Sequence, residues 1–125
     1  MITKTDLDKL KSQYPKVKYG FAKELVKIAS EKPELLYEHF DYWTELMISD
    51  NNILKWSAID IIGYISAVDK DNRVDRLMSE LIKMLHGGVL ITCNHAIFAL
   101  GLIYQNKPDL KETIIKELIS ISHDK

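Results

Sequence analysis

The chain has 125 residues, 46% of them hydrophobic and 28% charged, with a formal net charge of −1. That suits one folded domain with a short core, and it excludes a chain held to nucleic acid by a broad basic excess. No run approaches the roughly 18 uninterrupted apolar residues of a membrane span, and five Gly and three Pro leave little material for the turns of a many-stranded sheet.

From the N-terminus, the opening Met1 to Lys9 carries no apolar segment of the leader type, and the pattern predicts a short helix near 4–12. Helices are then predicted near 16–31, 33–48, 52–68, 73–86, 90–105 and 108–121, with residues 122–125 fraying. In the second of these, Leu36, Phe40, Trp43 and Met47 recur at helical spacing, while Glu34, Glu38, Asp41 and Glu45 take the opposite face. Leu77, Met78, Leu81, Ile82 and Leu85 form the next apolar stripe, and Leu110, Ile114, Ile115, Leu118 and Ile119 the last. Breakers fall between them at Asp50-Asn51-Asn52, at Asp69 to Asn72, at Gly87-Gly88 and at Asn106 to Pro108. The single cysteine, Cys93, makes no internal disulfide, so a reducing cytoplasm is the expected setting.

Charge is unevenly spread. Residues 1–32 carry +4, residues 33–70 carry −5, and residues 71–125 balance seven bases against seven acids. A basic end beside an acidic middle reads first as solvated helix faces.

Three twelve-residue words repeat. They are Val17 to Ile28, Leu54 to Ile65 and Thr92 to Ile103, beginning 37 and 38 residues apart. Lys32-Pro33-Glu34-Leu35 recurs as Lys107-Pro108-Asp109-Leu110, 75 residues on, which is two full periods. Each Pro stands at a helix start, where a missing N–H is tolerated, and the acid after it suits the positive end of the helix dipole.

The words resemble the second helix of a HEAT repeat, a member of the armadillo-like α-solenoid families. Val17-Lys18, Ala22, Leu25 and Ile28 match that pattern in the first copy, Lys55, Ala58, Gly63 and Ile65 in the second, and Ala96, Ala99, Leu100, Gly101 and Ile103 in the third. Asp50 stands where the family often places an acid at its intra-repeat turn. Phe21, Val26 and Thr92-Cys93 depart from the pattern, which leaves the packing at each end of the stack open. The resemblance implies an all-α chain, a short right-handed α-solenoid of about three helix pairs forming one domain over residues 1–125. It also implies scaffolding and protein–protein binding, with no catalytic role. Small residues at Ala22, Ala58, Ala96, Gly63 and Gly101 are expected to let neighbouring helices approach closely.

In each word the third, seventh and eleventh residues share one stripe. The stripes are Tyr19, Lys23 and Lys27; Trp56, Asp60 and Tyr64; and Asn94, Phe98 and Leu102. In a HEAT-like solenoid they would line the concave side. Five of the nine are aromatic or aliphatic, more than a solvated face needs, so they form the predicted binding face for a protein partner. The alternatives are residues that cover a thin core, or a face that pairs with another copy of the chain.

Other chemistry is poorly supported. Trp56 and Asp60, one turn apart, are similar to the Trp and Asp of HEAT-like DNA alkylation-repair glycosylases, but this chain is far shorter and its middle is acidic. No cofactor or metal is expected: Cys93 and His95 point apart on a helix, and no CxxC or HExxH is present. Asp69, Asp71, Asp75 and Glu80 look superficially like a calcium loop, but Arg73 and Val74 occupy positions that need an oxygen ligand and a glycine. Ser57 and His95 share a repeat position without a third group to orient them. His39 reads as a packed histidine.

Overall fold

The computed structural model describes residues 2–121, so the expected fraying of 122–125 lies outside the described residues. Every regular element among them is helical. Helix α1 (Lys4–Leu7) opens on a capping box between Thr3 and Asp6 and continues as a 3-10 turn, Asp8–Lys11. Together they bury Leu7 and Leu10 against α2 (Pro15–Glu31), which begins on its proline.

The single helix predicted near 33–48 is two, α3 (Glu34–Tyr37) and α4 (Phe40–Leu46). The cause is local. The Trp43 indole N–H donates to the Leu36 carbonyl at 2.8 Å, and the His39 amide, three residues on, donates to the same carbonyl at 3.1 Å. The acceptor that a continuous helix would offer to residue 40 is already in use. The His39 ring is mostly buried, and its Nε2–H donates to the Ile2 carbonyl at 2.7 Å, so it is a packed histidine.

Helix α5 (Asn52–Ile65) starts under the Asn51 side chain, which accepts from the Leu54 amide at 3.1 Å, and it tightens into a 3-10 turn at Ser66–Val68. A second 3-10 turn, Val74–Leu77, leads into α6 (Met78–Leu85). Gly88, at φ +84, makes the reversal that follows. Then come α7 (Leu90–Asn106), a 3-10 turn at Pro108–Leu110 and α8 (Lys111–Ile121).

The repeat register is visible in the backbone. Helices α2 and α7 both have 17 residues and start 75 residues apart. The equivalent positions Lys32, Asp69 and Lys107 each leave the helical track with ψ of 67, 68 and 86°. Helix α5 packs on α2 along one flank and on α7 along the other, while α4 packs on α5, and α6 and α8 pack on α7.

Core placement follows the sequence stripes for most of the chain. Leu36, Phe40, Trp43 and Met47 are all buried, as are Leu77, Met78, Leu81 and Leu85. The last stripe differs: only Ile114 is buried, and Ile115 and Ile119 are exposed. The five small residues divide as well. Ala22, Ala58 and Ala96 are buried, and a Cβ on Gly63 would meet the Ala99 Cα at 2.8 Å. Among the described residues nothing lies within 4 Å of the would-be Cβ of Gly101, contrary to the expected close approach: α8, which packs on α7, does not reach this position.

Candidate functional site

The stripes on α5 and α7 meet across the seam that Gly63 opens. Trp56 and His95 stack almost parallel, at 6° with ring centroids 5.6 Å apart, and the Trp56 indole N–H donates to Thr92 Oγ1 at 2.9 Å. His95 Nδ1 lies 2.8 Å from Asp60 Oδ1. When Asp60 is ionised, that contact places the ring proton on Nδ1 and turns Nε2 away from the carboxylate. One turn further on, Tyr64 meets Phe98 edge-on, with centroids 5.6 Å apart. Leu102 Cδ1 approaches the space above Gly63. A shallow, open depression of about 370 Å³ lies over this wall, lined by Asp60, Ile91, Asn94, His95 and Phe98.

The nine stripe residues are therefore placed unevenly. Trp56, Asp60, Tyr64, Asn94, Phe98 and Leu102 come together on the α5–α7 half. Tyr19 is half-buried, and its hydroxyl accepts from the Asn51 side-chain amide at 3.0 Å, which links α2 to the start of α5. Lys23 and Lys27 are exposed on α2. Exposure is concentrated at Phe98 and at Ile91 and Ile53, each one turn before its stripe. Trp56 and Tyr64 are half-buried and already have partners.

Electrostatics at the wall are set by burial. Asp60 is mostly out of water, and that desolvation pushes its carboxyl above the usual carboxylate range. The hydrogen bond and charge of His95 pull it back only in part. The central acid therefore carries a screened, internally paired charge. Ser57, the residue in register with His95, spends its hydroxyl on the Ile53 carbonyl of its own helix at 2.8 Å.

His95 and Ile91 were not among the predicted site residues. Reading the words in strict register pairs His95 with Ser57. In the packed helices α7 is offset, so position four of its word meets positions three and seven of the preceding one. An acid and an imidazole on adjacent words were the available signal.

A second polar cluster lies at the other end of the long helices. Asp69 accepts from Tyr37 Oη–H at 2.7 Å, from the Arg73 and Val74 amides at 2.8 Å each, and from Lys107 Nζ at 2.9 Å. Lys107 also donates to Asn72 Oδ1 at 2.9 Å, and Asp75 Oδ1 sits 2.9 Å away, off the hydrogen-bond direction. Burial alone would raise the Asp69 carboxyl. The bonds from Tyr37, Lys107, Val74 and Arg73 outweigh it and hold it below the usual range. Burial likewise disfavours the Lys107 ammonium, yet Asp69 and Asp75 raise its pKa above the ordinary lysine value. Of the four carboxylates that looked superficially like a calcium loop, Asp69 and Asp75 thus face Lys107, while Asp71 lies 3.9 Å from Arg73 and Glu80 3.5 Å from Lys83. The wall on α5 and α7, with its open depression, is the candidate site, and no family model, curated protein or solved structure matches the chain that carries it.

Proposed function

We propose that this chain is a HEAT-like α-solenoid adaptor that works in the cytoplasm and binds a segment of another protein without catalysis. The binding face in this reading is the side shared by α2, α5 and α7, its concave side. One observation carries the proposal: Phe98 and Ile91 stand exposed beside the Trp56–His95 stack, on an open wall with no deep cavity. Exposed apolar groups around a rigid aromatic floor suit the anchor residues of a protein partner. The exposed Lys23 and Lys27 on α2 would add a basic margin.

The glycosylase-like reading draws less support. His95 covers one face of Trp56 and lies against Asp60 Oδ1, so both residues of that pair are already engaged within the protein.

The test uses the exposed residues, because Trp56→Ala would also cut the Thr92 bond and the His95 stack. Affinity capture with the intact chain is compared with a Phe98→Ala/Ile91→Ala double variant whose circular dichroism and melting are unchanged. The proposal expects a captured protein to be lost from the double variant. Equal capture by both chains would remove the face from consideration.

A further inference from the structure

Seven of the eleven large apolar side chains exposed among the described residues lie in three turns. Tyr14 and Val17 belong to the turn that opens α2, Ile48 and Ile53 to the one that opens α5, and Val89, Leu90 and Ile91 to the one that opens α7. Ile91 borders the wall already described, and the other six do not line its depression. Packing brings the three turns to one edge of the molecule. Asn51 Nδ2, at the start of α5, donates to Tyr19 Oη in the second turn of α2 at 3.0 Å. Trp56 Nε1 on α5 donates to Thr92 Oγ1, near the start of α7, at 2.9 Å. A hollow of about 300 Å³ lies between the last two turns, lined by Ile48 and Lys55 from one and by Gly87 and Val89 from the other.

The edge's own residues make it basic. Within residues 12–18, 48–55 and 86–91, the three lysines Lys16, Lys18 and Lys55 outnumber one acid, Asp50. His86, in the third turn, is engaged with Glu117 of α8. Lys83 and Glu80, beside the hollow, lie 3.5 Å apart and offset each other. Helix ends add to the excess. Helices α1, α3, α4, α6 and α8 each carry an acid in the first turn, whereas α2, α5 and α7 carry none. No side chain caps α2 or α7, whose N-cap residues are Tyr14 and Val89. The positive ends of the three long-helix dipoles thus reach this edge without a carboxylate of their own.

Composition selects the occupant. Protein interfaces favour Trp, Tyr and Arg and are poor in Lys, and Leu and Val are scarce among their anchors. Here five of the six apolar groups are aliphatic, and the three cations are all lysine. Aliphatic side chains beside lysines, with a tyrosine among them, suit the boundary between lipid headgroups and acyl chains. We propose that this edge rests on an anionic lipid surface. The aliphatic turn residues enter the headgroup layer, while Lys16, Lys18, Lys55 and the helix ends draw in the lipids' negative groups. The chain lies on the bilayer: no helix among the described residues is long and apolar enough to cross it. The wall on α5 and α7 stays open to a protein partner, so the inference stands apart from the proposed function.

Vesicle flotation of the full chain tests it, with phosphatidylcholine alone and with phosphatidylserine added. The chain is expected to float with the anionic vesicles, and the bound fraction to fall as salt rises. The double variant Val89→Ser/Leu90→Ser changes exposed residues, so circular dichroism and melting stay as in wild type, and vesicle binding is expected to weaken by about tenfold or more. Lys16→Glu is expected to weaken it by about tenfold or more as well. Lys111→Glu makes the same change in net charge beside the Tyr104 ring, near the far end of α7, and is expected to leave binding unchanged. So is Phe98→Ala on the wall. A chain that anionic vesicles leave unbound would overturn the inference, including the case in which the edge captures a protein instead. Equal binding to phosphatidylcholine alone, or binding that tolerates both edge variants, would overturn it too.

Discussion

Two glycines in the same repeat position give opposite expectations. A methyl on Gly63 collides with the α7 backbone, so Gly63→Ala is expected to lower stability by about 1–3 kcal/mol as the seam is forced apart. A methyl on Gly101 meets nothing, so Gly101→Ala in dilute protein is expected to raise stability by about 0.5–1 kcal/mol through helix propensity. Denaturant melts of both variants check the pair, and equal signs would contradict the packing. Asp60 gives a pH-dependent case. Its folded-state pKa is raised by burial, so the folded chain holds that proton more readily than the unfolded one. Its contribution therefore declines as pH climbs through the interval above the ordinary value of 3.8. Asp60→Asn keeps an acceptor for His95 and removes the buried charge. Its melting temperature is expected to exceed that of wild type at neutral pH, with the gain vanishing in acid. At this scale the sequence marked Trp56, Asp60 and Phe98 but not His95, because the offset between neighbouring helices is a packing property that no single helix encodes.

At the scale of elements, the helix order and the three words were legible because apolar spacing and breakers repeat with the period. The division between α3 and α4 was not. It depends on one indole reaching back seven residues to a carbonyl, and spacing alone does not reveal that bond. The tie between Asp69 and Lys107 was equally hidden, although the two hold the same position in successive copies. Replacing Lys107 by Met would strand two carboxylates around an apolar chain, at an expected loss of about 3–5 kcal/mol. That is a large share of the roughly 5–15 kcal/mol that stabilises a typical domain. The pair also sets pH limits. Asp69, with a depressed pKa, contributes above its ordinary 3.8, and that contribution is lost as pH falls through the lowered value. Lys107, with a raised pKa, contributes fully below its ordinary 10.5 and loses its part as pH rises through the higher value. Urea titrations of wild type and Lys107→Met across this range would show the difference narrowing at both extremes.

Across the whole molecule, protection from solvent is graded. Helix α5 is enclosed by α2, α4 and α7, and seven of its residues are buried; α8 buries only Ile114. Amide hydrogen exchange is expected to be slowest in α5 and fastest in α8, and the reverse order would contradict the packing. The sequence period supplied the order of the helices. It was silent on the exposure of α8, because an apolar stripe at helical spacing reads the same whether or not neighbours cover it. Of the fifteen lysines, Lys107 is buried, with its amine enclosed by oxygen atoms. An amine-acylating reagent would then modify exposed lysines such as Lys23 and Lys27 in the folded chain and spare this one. Acylation of Lys107, followed by mass spectrometry, would time each excursion in which the 69–75 loop lets go of the end of α7.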